Sequence, residues 1–346
     1  MLTQMCAYAL IFSVASPVYA AVVKNLYEAE VAISGHGKKA LEEASLVALS
    51  EVLVKVSGSV EVLQNPAIAA ELDRARGHVQ QYSYSRDQDA SGDLTARFEF
   101  DGSVISRLLT ESGAPLWSAN RPPVVVWIAV EGHGGRQLAS PEINSDMMTS
   151  LQLGFARRGI PARFPLLDLQ DTAALSVDEV WGLQSAPIFQ ASGRYGVQDI
   201  VAARVTVLST GEWVGDWTYL SNNGRVDRSV GADSLEMFMN AGVSLVAEQM
   251  ARRYAVVAAG SEVDSILISV SGVNSYVQYI DLVAWLESLE LIKHANVEKI
   301  QAGQLELRLI SRAQANQLRT TIELNKHLLP VSPAAANHQL SYQWLN

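Results

Sequence analysis

Between Tyr27 and Ile33 the chain reads YEAEVAI, with Tyr27, Ala29, Val31 and Ile33 set apart by Glu28, Glu30 and Ala32. A period of two is the signature of a strand with one face buried. At Gly35-His36-Gly37 the period changes. From Lys38 to Val56 the apolar positions Leu41, Ala44, Ala48, Leu49, Val52, Leu53 and Val56 recur at three and four, and Gly58 follows. This spacing predicts an amphipathic helix closed by a glycine. Asn65-Pro66 gives an N-cap and first-turn pair for a second helix, with Ile68, Leu72, Ala75 and Val79 on one stripe. Leu94, Ala96, Phe98 and Phe100 then alternate with Thr95, Arg97, Glu99 and Asp101, the pattern of a second hairpin arm. A short helix from Val104 to Glu111 ends the unit.

The run RPPVVVWIAV at 121–130 is the most apolar stretch beyond the N-terminus. Val124 to Val130 is far short of the ~20 residues a spanning helix needs. β-Branched and framed by Pro122-Pro123 and Glu131-Gly132, it predicts a central strand buried on both faces and parallel to its neighbours. A helix over 141–158 is expected next, capped by Ser140, with Pro141 in its first turn and Ile143, Met147, Leu151 and Phe155 inward. Ile160 to Phe164 read as a short strand. Small helices start at Ser176, which has Glu179 at capping-box spacing, and near Pro187. Val201, Ala203, Val205 and Val207 open a strand whose partner carries Trp213, Gly215, Trp217 and Tyr219; Asn222-Asn223-Gly224 turns that partner into a third strand, and a helix over 233–254 follows.

A last unit has a strand at Ile266 to Val270, a helix from Ser275 to Leu289, a hairpin turning at Gln301-Ala302-Gly303 and a helix from Ala313 to Leu324. That βαββα order outlines a split-βαβ, ferredoxin-like domain. The fold class is therefore α/β and α+β in three small modules, 21–116, 121–257 and 263–331, the central one a mixed sheet with flanking helices. Linkers are expected near Ala114 to Pro122 and Val256 to Asp264, and residues 332–346 are expected to be a mobile tail.

Composition adds a compartment. The first 23 residues carry no charge, and Val18-Tyr19-Ala20 is a small-x-small pattern, so a secretory signal peptide over 1–20, cut after Ala20, is expected. The alternative is an uncleaved anchor, in which case this segment alone touches a membrane. Cys6, the only cysteine, lies inside it; the cleaved chain would hold no thiol for disulfides, metal ligation or nucleophilic attack. A periplasmic setting also lacks free ATP and NAD, so no cofactor is expected. With a net charge of −10 and scattered Lys and Arg residues, nucleic acid is not an expected partner.

Four patterns bear on chemistry. In DQDASGD, Asp87, Asp89 and Ser91 stand at positions one, three and five of a calcium loop, with Gly92 at six and Asp93 as a further candidate metal ligand, but Phe98 stands where a bidentate Glu is required, and a polar hairpin turn is the simpler reading. Asp168 and Asp171 in PLLDLQD form a candidate catalytic carboxylate pair after a strand, against a simpler capping role. Trp213, Trp217 and Tyr219 share one strand face, which would stack on a glycan or peptide if exposed and would pack against helix 233–254 if not. The glycine clusters at 35–37 and 132–135 match neither a phosphate loop nor a dinucleotide fingerprint, the six histidines never pair as His-x-x-x-His, and no serine is flanked as Gly-x-Ser-x-Gly.

Through RPPVVVWIAV, ARRGIPARFPLLDLQD and ASGRYGVQDIVAARV, and in particular Arg121-Pro122, Trp127, Pro165-Leu166-Leu167-Asp168 and Tyr195-Gly196, the chain resembles the proteobacterial envelope family called domain of unknown function 2066. The resemblance runs to about the end of the central module and implies no activity or catalytic residue. More loosely, the N-terminal module is similar to N-terminal modules of periplasmic flagellar-motor and curli accessory proteins. The central module is similar to the small α/β domain preceding the Tol β-propeller. Both are likenesses of fold and imply nothing about chemistry. Together these observations predict a non-enzymatic envelope protein whose partner is another envelope protein. A carboxylate hydrolase and a small-ligand or glycan receptor are the competing expectations.

Overall fold

The structure, a computed structural model, describes residues 21–86, 94–132, 134–257, 264–289, 291–301, 303–311, 313–325, 327–331 and 340–345. The expected signal segment and the loop carrying Asp87, Asp89 and Asp93 lie outside the described residues.

The first module holds β1 (Ala21–Val22), β2 (Glu28–Ala32), α1 (Lys38–Ser57), a 3₁₀ turn at Val60–Gln64, α2 (Pro66–Leu72), α3 (Ala75–His78), β3 (Val79–Arg86), β4 (Leu94–Phe100), α4 (Gly102–Glu111), β5 (Pro115–Leu116) and β6 (Asn120–Arg121). Its antiparallel sheet runs β2-β4-β3. Ala96, Phe98 and Phe100 of β4 share one buried cluster with Leu49, Val52, Leu53 and Val56 of α1, which is the stripe that three-and-four spacing dictates. The Asn65 cap is as expected, its Oδ1 accepting from the Ala67 N–H at 3.0 Å. The stripe from Ile68 to Val79 is not continuous, because α2 stops at Leu72 and Val79 already belongs to β3.

The central module contains β7 (Val124–Gly132), β8 (Gly135–Leu138), α5 (Ser145–Arg157), β9 (Ala162–Arg163), α6 (Leu169–Ala174), α7 (Val177–Trp181), α8 (Ser185–Ser192), β10 (Asp199–Val207), β11 (Trp213–Ser221), β12 (Gly224–Ala232), α9 (Leu235–Tyr254) and β13 (Val256–Val257). The sheet order is β12-β11-β10-β7-β8, with β9 beside β7. β7 runs parallel to β9 and β10 and antiparallel to β8. Val124, Val126 and Ile128 bury against α5 and α9, while Val125, Trp127 and Ala129 bury against α7 and α8; a strand covered on both faces cannot alternate with polar residues. α5 starts four residues later than expected. The Ser140 carbonyl accepts from the Ile143 and Asn144 N–H groups in a turn, Asn144 takes the cap position, and Ile143 is 59% exposed instead of inward.

The third module has β14 (Asp264–Ser271), α10 (Tyr276–Ser288), β15 (Ile292–Gln301), β16 (Gln304–Ser311), α11 (Ala315–Leu324), β17 (Leu328–Pro330) and β18 (Leu340–Trp344), in sheet order β15-β16-β14-β18-β17. The split-βαβ outline is present, with one addition that corrects the expected mobile tail. β18 inserts between β14 and β17, parallel to β14 and antiparallel to β17. Its Tyr342 is 1% exposed, and burial of this ring together with ladder pairing on both sides of the strand offsets the entropy of ordering it.

The expected linkers are also corrected. β5 pairs with β13, and β6 pairs with β1, so both connections are tied into two-stranded ladders. The buried residues of the first and third modules form one continuous cluster. Arg121 lies where the first module meets the central one, fully buried. Its Nε donates to the Ser118 carbonyl at 3.0 Å, Nη1 to those of Arg158 and Gly159 at 2.8 and 3.1 Å, and Nη2 to those of Lys55 and Trp117 at 2.8 and 3.0 Å. A guanidinium has five N–H donors. All five meet carbonyls from the end of α1, the connection and the end of α5, while the Trp117 ring lies 4.0 Å below. Gly159, at φ 62°, leaves the room; a Cβ there would come within 2.9 Å of Nη1.

Candidate functional site

The segment after β9, Phe164 to Asp171, has few local ways to satisfy its backbone, and short side chains do that work. Asp168 caps α6, its Oδ1 accepting from the Asp171 N–H at 3.0 Å. Asp171 is fully buried; its Oδ2 accepts from the Leu167 N–H at 2.9 Å and from the Tyr195 hydroxyl at 2.5 Å. From the short turn before β10, Arg194 donates Nη1 to Asp168 at 2.7 Å and to Asp171 at 2.8 Å, and Nη2 to Asp168 at 3.0 Å. The Leu166 N–H closes the ring on the Tyr195 hydroxyl at 3.1 Å.

The two candidate catalytic carboxylates are thus brought together, but as a saturated clasp. Arg194 and the capping N–H hold the Asp168 carboxyl down at about 2, below the usual carboxylate range. Burial, then the Asp171 carboxylate, push the Tyr195 hydroxyl up to about 12, and the Arg194 guanidinium is held above its ordinary value by Asp168. A general acid for neutral pH needs a carboxyl raised toward 7; Asp168 moves the other way. Its position differs from expectation too. Arg194 and Tyr195 precede β10, whose Asp199 pairs with Val124 at the start of β7, whereas open α/β sheets bind ligands beyond the carboxyl ends of their strands.

What the clasp does is shape a loop. Leu167 sits at φ 51°, in the left-handed region where a side chain costs ~1–2 kcal/mol, and its N–H is fixed by Asp171. On either side Leu166 is 74% and Leu169 86% exposed.

The aromatic row takes the packing alternative. Trp217 is fully buried and Tyr219 nearly so, with Trp213 half-buried. Gly242 lets the α9 backbone lie on the Trp217 indole, since a Cβ there would come within 2.3 Å of it, and Phe238 tilts against it at 5.6 Å. Trp217 and Tyr219 therefore offer no open stacking face, and the binding candidate drawn on Trp213, Trp217 and Tyr219 reduces to the partly exposed Trp213. Among the described residues no group of three His, Cys, Asp or Glu side chains is placed to hold a metal ion, and no helix is long and apolar enough to cross a membrane.

One cluster was not anticipated. Asp199, fully buried at the head of β10, accepts from the Tyr219 hydroxyl and from the Tyr254 hydroxyl at 3.0 Å, with Arg253 Nη1 at 3.6 Å. Burial raises its carboxyl, and the Tyr219 hydrogen bond and Arg253 oppose that rise. The legible signal is a carboxylate opening the apolar run DIVAA, where an unpaired charge is too costly to bury.

A family model described as Domain of unknown function (DUF8605) matches residues 20–118. This corrects the resemblance to domain of unknown function 2066: the matching family is a different one, and it covers the first module and its connection, not the central module whose motifs suggested the other. No curated protein matches the chain. A solved structure titled "Crystal structure of uncharacterized protein" is similar at 11% identity, over 38% of this chain and 90% of that chain, with a TM-score of 0.18.

Proposed function

We propose that this is an exported periplasmic protein of the cell envelope that works without catalysis, by docking another envelope protein through the loop 164–169. The observation that carries the reading is the pairing of strain with exposure. A leucine is held in a left-handed conformation by a buried carboxylate, and its neighbours Leu166 and Leu169 project into solvent. Strain of this kind persists only where surrounding structure enforces it, and it concentrates at binding and switch sites. Two exposed leucines on a rigid support lose little freedom on docking, which favours affinity. The uncharged N-terminal segment supports export.

A photo-crosslinking residue placed at Gln170, exposed beside Leu169, should give one discrete protein adduct in cells, while the same group at the exposed Leu46 of α1 should give none. Leu166→Asp with Leu169→Asp should abolish the adduct without unfolding the chain. Adducts that persist in the double variant would sink the docking reading, as would turnover on peptidoglycan or ester substrates that disappears in Asp168→Ala with Asp171→Ala. Recovery of the chain with Met1 intact in the cytoplasmic fraction would sink export.

A further inference from the structure

Between the last turns of α9 and the β11–β12 turn lies a cavity of about 270 Å³, walled by Ser221, Asn223, Arg225, Gln249, Arg252 and Arg253, with Tyr219 beside them. Three of these residues are arginines and none is a carboxylate, in a chain of net charge −10. Like charges gathered around one hollow repel unless something compensates them.

Following each guanidinium shows which is compensated. Arg225 is occupied, by both oxygens of Asp227 at 2.8 and 3.0 Å and by the Leu183 carbonyl at 2.8 Å. Arg252 is exposed and makes no hydrogen bond or ion pair with any described residue. Arg253 turns its buried Nη1 to Asp199 at 3.6 Å, whose oxygens already accept from Tyr219 and Tyr254; its side chain is 23% exposed, and its Nε and Nη2 make no hydrogen bond with any described residue. Cations in the last turn of a helix also answer its dipole, worth ~0.3–1 kcal/mol. That role needs charge alone and explains neither the concavity nor the two amide side chains, Asn223 and Gln249, set in the same wall.

We infer that this cavity binds a small molecule through an oxyanion, a carboxylate or phosphate group, held by Arg252 and Arg253 with Asn223 and Gln249 as neutral donors. Arginine is suited to such groups because its planar fork gives two parallel hydrogen bonds to one oxyanion. A volume just below the usual range of ligand pockets suits a group the size of inorganic phosphate or a short dicarboxylate. The site shares no residue with the loop 164–169, so either can fail without the other.

The test is calorimetric titration of the full chain with inorganic phosphate and, separately, with succinate, at constant ionic strength with chloride as balancing ion. Saturable binding of at least one is expected, weakened about tenfold or more in Arg252→Gln and in Arg253→Gln, and accompanied by a ligand-dependent rise in Tm that the double variant lacks. Preference for phosphate assigns a phosphate-bearing ligand, and preference for succinate a carboxylate-bearing one. Arg252 is exposed, so its variant remains readable even if Arg253→Gln does not fold. No saturable binding of either anion at tens of millimolar, or equal binding in Arg252→Gln and wild type, would overturn the inference.

Discussion

Arg121 and Arg253 are both drawn in among core elements of the same molecule, and they differ in what their donors meet. Arg121 places five N–H groups on five carbonyls from three segments. Arg253 has a carboxylate nearby but leaves Nη1 without a hydrogen bond, beside a cavity. A buried guanidinium whose donors are all engaged by the chain is a joint, because it has nothing left to offer a ligand. Arg253, with 23% of its side chain exposed and its buried Nη1 turned to Asp199, keeps its other N–H groups off every described residue and so still has donors to offer. Arg194 falls on the joint side: its contacts to Asp168 and Asp171 are internal and shape a loop.

The largest effect should follow from breaking the joint. Arg121→Met leaves five carbonyls without a donor, and at ~1–3 kcal/mol for each buried group the loss should exceed about 4 kcal/mol, the range reserved for a broken buried network. Arg121→Lys keeps the charge but has three donors without the fork, so it should fall between methionine and wild type. Urea unfolding of the three chains measures this, and a methionine variant within about 1 kcal/mol of wild type would show that the joint is dispensable.

The clasp should respond next. Asp171→Asn keeps one acceptor and turns an amide toward the Leu167 N–H, the Tyr195 hydroxyl or Arg194, at a cost of ~3 kcal/mol for a buried charge partner removed. Tyr195→Phe removes one hydrogen bond at each side of the hydroxyl, ~1–2 kcal/mol. Because Asp171 holds the conformation of Leu167, Asp171→Asn should also raise amide exchange at residues 166–169, whereas Arg252→Gln should leave stability within about 0.5 kcal/mol and change only anion binding. Similar exchange in Asp171→Asn and wild type would separate the loop's shape from the clasp.

Much of the fold is legible because its physics is local. The alternation of β4, the three-and-four spacing of α1 and the unbroken run Val124 to Val130 each specify an element and the faces it buries. What escapes is non-local. The connection Ala114 to Pro122 has the prolines of a linker, yet Arg121 turns it into the most engaged junction of the chain, through carbonyls whose positions no spacing encodes. The tail is poor in apolar residues up to residue 339, and only its last strand brings Tyr342 and Trp344 into a sheet. Trp217 and Tyr219 read the same in sequence whether bare or covered; Gly242, 25 positions later, decides it. Asp168 and Asp171 are recognisable as a pair, but the partners that tie them down, Arg194 and Tyr195, come from another segment.

The smallest effect concerns acid. Arg194 and the cap hold Asp168 at about 2, against ~3.9 for an unfolded Asp. A carboxyl depressed in the folded state stabilises the fold above its unfolded pKa, and that contribution fades as pH falls from about 4 through about 2. Asp168 is 43% exposed in its side chain, so solvent screens the pair and the effect should be modest. Asp199 has the opposite sign: burial raises its carboxyl, so protonation at low pH relieves a cost and partly offsets the loss at Asp168. Comparing wild type with Asp168→Asn isolates the first contribution, since Asp199 is common to both. The gap between their urea midpoints should be widest near neutral pH and close toward about pH 2. A gap that stays constant across that range would mean that Asp168 acts as a neutral cap, and that the charge of Arg194 serves Asp171 alone.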